Sequence, residues 1–154
     1  MAKPTVGNME FESLIKHVNA DDPLQIVIRC HLIVESKLIK LIELSLENKN
    51  ELDVEKLNFP TKVNLAFALG CIEEKYLKPV LLNINSLRNK FAHNIKYELS
   101  ENDVMKLYNK NPSLELVLEK GFKERSLLDR LRAAIAMTFI ELDVTEKAIE
   151  EIST

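Results

Sequence analysis

The chain has 154 residues, 46% of them hydrophobic and 29% charged. This length and composition predict a single domain over residues 1–154 with a packed core, and exclude a disordered chain. The formal net charge of -3 weighs against a broad phosphate-binding face, which is usually basic, so any contact with nucleic acid is expected to be local or assembled from two subunits.

Only three Gly and five Pro interrupt a chain rich in Leu, Ile, Glu, Lys and Asn, which predicts an all-α fold. Residues 1–8, with Pro4 and Gly7, read as a mobile lead-in. Phe11, Leu14, Ile15 and Val18 recur at helical spacing and predict a short helix from Met9 to Val18, with His17 on its surface. Asp21-Asp22-Pro23 is a helix start: Asp22 can accept from free backbone N–H groups, and Pro23 suits the first helical position. The helix is predicted to reach about Asn48. Its first half is apolar on most sides, which implies neighbours on two faces or a second subunit. Within it His31 and Glu35 are four residues apart and can meet on one face, as a site element or as a partly buried polar pair.

Glu51 to Pro60 reads as a connection, followed by a helix from Thr61 to Leu69 that Gly70 ends. Asn64 is expected to be exposed. The central helix is predicted from about Glu73 to Asn94, with a kink or restart at Pro79 and a core stripe of Val80, Ile84, Leu87 and Phe91. Ser100 to Asp103 can cap a short helix through Tyr108, and Asn111-Pro112-Ser113 can start another that runs to Lys120 and closes at Gly121. Ser126-Leu127-Leu128-Asp129 forms a capping box for a last helix to about Ile152. Its inward residues are predicted as Leu128, Leu131, Ile135, Phe139, Leu142, Ile149 and Ile152, at a near-heptad spacing that suits antiparallel packing on one long partner. The whole reads as a bundle of four main helices with short accessory ones.

Cys30 and Cys71 lie in apolar runs and read as small buried hydrophobes. No CxxC occurs, and His17, His31 and His93 lack metal-ligand spacing, so neither a metal nor a cofactor is expected. The start Met1-Ala2-Lys3-Pro4 has no signal-peptide core, and no apolar run approaches the ~20 residues of a membrane span. A reduced, cytoplasmic protein without a membrane partner is the expectation.

The chemistry concentrates in Leu87-Arg88-Asn89-Lys90-Phe91-Ala92-His93-Asn94. Arg88 offers a permanently charged fork for phosphate oxygens, and a histidine such as His93 can exchange a proton near neutral pH. A metal-free ribonuclease needs those two functions: proton transfer at the ribose 2′-OH or the leaving oxygen, and a cation beside the phosphorane. Asn89 can orient the imidazole or bond phosphate. On an ideal helix Arg88 and His93 lie about 140° apart, and Asn89 and His93 about 40°. Arg88 must therefore curl round, the helix must deform, or the pair must meet across a dimer axis. The structural alternative is that both side chains simply complement the helix C-terminus.

The run from Arg88 to His93 resembles the R-x4-6-H motif of HEPN-superfamily domains, including a polar residue directly after the Arg. Leu57-Asn58-Phe59, Leu65 to Gly70 and Ile84 to His93 are similar to the mannitol operon repressor branch of that group, over about the central third of the chain. The resemblance implies an all-α HEPN-like bundle, usually a homodimer, with the Arg and His of both subunits lining one cleft. It implies a metal-independent endoribonuclease acting on single-stranded RNA, of a kind often found among toxins and antiviral effectors. In that reading Arg88 and His93 are catalytic, and Asn89 and Glu35 support them. An antitoxin or regulatory protein would be a further partner. The alternative it implies is a non-catalytic dimeric regulatory or binding protein. One HEPN toxin branch carries R-x4-H-x-Y, whereas here Tyr97 falls two places late, so that branch's tyrosine modification does not transfer.

Overall fold

The computed structural model describes residues 6–108, 121 and 124–153. They form an all-α bundle: α1 (Val6–Val18), α2 (Pro23–Ser45), α3 (Phe59–Ala68), α4 (Leu77–His93), α5 (Glu101–Tyr108) and α6 (Leu127–Ser153). Two short 3-10 turns, Lys49–Glu51 and Val54–Lys56, join α2 to α3. No strand occurs among the described residues.

Local chemistry sets most helix ends. The Asp22 carboxylate accepts from the Leu24 N–H at 3.1 Å, and Pro23 opens α2 without sacrificing a bonded donor. Asn58 caps α3 by accepting from the Thr61 N–H at 2.9 Å, so α3 begins two residues ahead of its predicted start. At its far end the Gly70 N–H bonds the Phe67 carbonyl and the Cys71 N–H bonds the Ala66 carbonyl, with Gly70 at a φ of 74°. This is a Schellman stop, which needs a residue tolerant of the left-handed region. Ser100 and Asp103 cap α5 reciprocally, and the Ser126 hydroxyl accepts from the Asp129 N–H at 3.1 Å to start α6. As expected, Asn64 is exposed.

Several boundaries differ from the sequence reading. Helix α1 already starts at Val6, inside the expected lead-in, and α2 stops at Ser45 rather than near Asn48. Pro79 neither kinks nor restarts a helix, because α4 begins at Leu77. In that first turn the missing N–H has no intrahelical acceptor to lose. The helix predicted from Asn111 to Lys120 lies outside the described residues.

Helix α2 packs against α1, α3, α4 and α6, which accounts for its nearly all-round apolar first half. Its upper turns (Ile26, Val27, Cys30) join α1, α4, α5 and α6 in one apolar cluster. Its lower turns (Val34, Leu38, Leu41, Ile42) join α3, the start of α4 and Leu142 in a second. Leu32 is the outlier, at 59% exposed. In α6, Leu131, Ile135, Phe139 and Leu142 are buried as predicted, but Ile152 is 87% exposed, beyond the end of both clusters.

The long pair α2 and α6 runs parallel, not antiparallel as predicted. Arg132 Nη2 donates to the Ala20 carbonyl at 2.7 Å just ahead of α2, while Lys37, farther along α2, meets Asp143 and Glu146 farther along α6. Apolar spacing specifies a seam and leaves its direction open; these long-range polar contacts set the direction.

Candidate functional site

A polar layer separates α2 from α3 and α4 at the level where the two apolar clusters meet. His31 is buried; its Nε2 is 3.0 Å from Asn85 Oδ1, and its ring lies 4.4 Å from the Phe59 ring centroid. Burial pulls the His31 pKa below the ordinary histidine value. The Asn85 bond and the Glu35 charge oppose that shift, and the positive charges of Arg88 and Lys62 reinforce it. Glu35, Lys62 and Arg88 thus all lie within electrostatic reach of one imidazole, two cations against one carboxylate. Lys62 is itself buried, donating to the Glu55 carbonyl at 3.1 Å and pairing with Glu35 Oε1 at 3.5 Å.

His31 and Glu35 therefore do not form the pair their spacing allowed. Each bonds a different helix: His31 takes Asn85 on α4, and Glu35 takes Lys62 on α3. Glu35 acts on the layer through its charge.

Arg88 is half-buried and donates from Nη1 to Asn89 Oδ1 at 3.1 Å. Asn89 thus steadies the guanidinium within the chain, and no hydrogen bond joins it to the His93 imidazole among the described residues. No carboxylate pairs with Arg88 among the described residues, whereas Arg130 and Arg132 both have one. His93 is the last residue of α4, and its side chain is exposed. No hydrogen bond joins Arg88 to His93 among the described residues. Helix α4 runs unbroken through both, and the Arg88 guanidinium bonds Asn89 instead.

The turn that follows His93 is tightly bonded. The Asn94 N–H closes α4 on the Lys90 carbonyl, the Asn94 carboxamide oxygen accepts from the Lys96 N–H, and the Tyr97 N–H returns to the Asn94 carbonyl. The Tyr97 ring meets Phe91 edge-on at 5.2 Å. Its hydroxyl donates to Asp103 Oδ2 at 2.5 Å, and Lys90 Nζ donates to Asp103 Oδ1 at 3.0 Å. A cavity of about 520 Å³ borders Phe91, Tyr97, Leu24 and Leu127. It reaches α4 through Phe91, about 160° round the helix from His93, and is therefore separate from the imidazole.

Cys30 is buried in an apolar cluster, and burial pushes its thiol up to about 12, as suits a small hydrophobe. Cys71 is buried too, its thiol donating to Ser45 Oγ at 3.1 Å. Among the described residues no cluster of three or more His, Cys, Asp or Glu side chains could hold a metal ion, and no helix is long and apolar enough to cross a membrane. Sequence reasoning missed Asn85, Lys62 and Asp103 as functional neighbours. Only Asp103 carried a local signal, through its capping box with Ser100; the partners of Asn85 and Lys62 lie on other helices.

Fold and site together define an all-α bundle with a buried polar layer and an arginine that no carboxylate neutralises among the described residues. No family model, curated protein or solved structure matches this chain.

Proposed function

We propose that this chain is a HEPN-like, metal-independent endoribonuclease acting on single-stranded RNA, with a composite site at a homodimer interface. The observation that carries the reading is Arg88: half-buried, steadied by Asn89, and free of any carboxylate among the described residues. A desolvated arginine without an acidic partner is poised for an anion such as a phosphodiester. The local excess of positive charge around His31 supports the same reading in a chain whose net charge is -3. The exposed His93 imidazole can take the proton from the ribose 2′-OH as that oxygen attacks the adjacent phosphorus. The bond to the 5′-oxygen then breaks as the 2′,3′-cyclic phosphate forms, and that oxygen takes its proton from water. Arg88 stabilises the charge on the five-coordinate phosphorus. A toxin or phage-defence role, opposed by an antitoxin, fits such an activity.

A second reading, a non-catalytic dimeric regulator like the mannitol operon repressor branch, draws on the separation of Arg88 and His93 around α4 and on the exposed Leu32 of α2. One assay divides the two: cleavage of single-stranded RNA in EDTA by wild type, His93→Ala and Arg88→Ala. The ribonuclease reading expects cleavage by wild type and a loss of about 100-fold or more in each variant. No cleavage by any of them, or equal cleavage by all, would sink it.

A further inference from the structure

We propose that Asp103 is a positioning residue for His93, fastening the turn of residues 94–100 to α4 on one side and α5 on the other. The proposal rests on the reading of His93 as the proton-transfer group. No hydrogen bond or ion pair holds the His93 imidazole among the described residues, so its placement depends on the backbone that carries it. That backbone is the last residue of a helix, where fraying is ordinary. A group that must meet a reacting oxygen needs more support than a helix end supplies.

Asp103 provides it. A capping box needs only the reciprocal bonds between Ser100 and Asp103, both present at 3.0 and 3.2 Å. Such a carboxylate can remain in water. Here the Asp103 side chain is 3% exposed, and it accepts from two further donors, Lys90 and Tyr97. Burying a carboxylate is costly unless its lone pairs are satisfied, so the extra donors are what make its burial tolerable. Those donors lie on either side of His93 in sequence, three residues before it and four after. Lys90 also lies 5.6 Å from the Tyr97 ring centroid, and Phe91 holds that ring edge-on. The chain leaving His93 is thereby pinned back onto the helix it has just left. Directional bonds to one carboxylate hold the turn in a single geometry, which apolar contact alone would leave looser.

Two measurements on the full chain test this: RNA cleavage kinetics, and NMR of the His93 imidazole together with amide exchange at Lys96 and Tyr97. In Asp103→Asn, kcat should fall about 10- to 100-fold while KM stays within about twofold. The His93 signals should broaden, and both amides should exchange faster. Tyr97→Phe, which deletes one hydroxyl, should show the same effects in smaller degree. Glu101→Gln, on the same helix but bonded to Arg130, should match wild type. If wild type does not cleave RNA, the ribonuclease reading fails and the NMR measurement alone decides the role of Asp103. If Asp103→Asn does not fold, Tyr97→Phe decides it. Wild-type imidazole signals and exchange rates in the folded variants would overturn the proposal, as would a loss of kcat no larger than the unfolded fraction explains.

Discussion

In His31, burial against Phe59 and the positive charges of Arg88 and Lys62 favour the neutral form, against the opposing pull of the Asn85 bond and the Glu35 charge. Its pKa in the fold lies below the value of about 6.5 expected in the unfolded chain. As pH falls through that range, the unfolded chain takes up the proton first, so stability is lost on acidification and is fully present above it. His31→Gln keeps a donor for Asn85 and removes the titration. The midpoint of thermal unfolding should therefore fall more steeply between about pH 7 and 5 in wild type than in His31→Gln. His17 is shifted in the same direction but is common to both proteins, so it cancels from the comparison. Parallel profiles would show that protonation of His31 is not linked to folding.

At the scale of elements, the pairing of α2 with α6 hinges on Lys37. It is fully buried, donating to Asp143 Oδ1 at 2.7 Å and to Glu146, with its ammonium 5.3 Å from the Phe139 ring centroid. Lys37→Met should destabilise the fold by about 3 kcal/mol in urea unfolding, because it removes the buried cation from two carboxylates beside an apolar seam and leaves them only the outer lysines Lys147 and Lys40. Lys37→Met with Asp143→Leu and Glu146→Leu should recover most of that loss; a triple variant as unstable as the single one would contradict this account. Lys37 also marks where sequence reading stops. Asp22 with Pro23, Asn58, Gly70, Ser100 with Asp103, and Ser126 act across a few residues, so the helix ends they set follow from local chemistry. Lys37 and Asp143 are 106 residues apart, and His31 and Asn85 are 54 apart. No spacing rule joins such pairs. For that reason the direction of α6 and the partner of His31 were not legible, while the all-α fold class was, as was the placing of Arg88, Asn89 and His93 late on one helix. Glu35 shows the intermediate case, where the i,i+4 geometry permitted His31 but a lysine from another helix took the carboxylate.

For the whole molecule the question is how Arg88 and His93 could act together. One subunit holds them about 140° apart on a regular helix, so the proposed ribonuclease site requires a shared phosphate to be reached from two chains. In the proposed homodimer, Leu32, 59% exposed on α2, is an apolar contact offered to the second copy. Leu32→Glu should therefore weaken the homodimer in sedimentation and lower RNA cleavage with it. A sharper test mixes two inactive proteins. If each site takes Arg88 from one subunit and His93 from the other, a heterodimer of Arg88→Ala with His93→Ala keeps one site whole: the first chain supplies the histidine and the second the arginine. If each subunit uses its own pair, no heterodimer contains a complete site. Mixing and re-equilibrating the two variants should restore cleavage that neither shows alone, and the same mixture carrying Leu32→Glu in both chains should not recover. Absence of recovery in mixtures shown to contain heterodimer would rule out a site built from the Arg88 of one subunit and the His93 of the other.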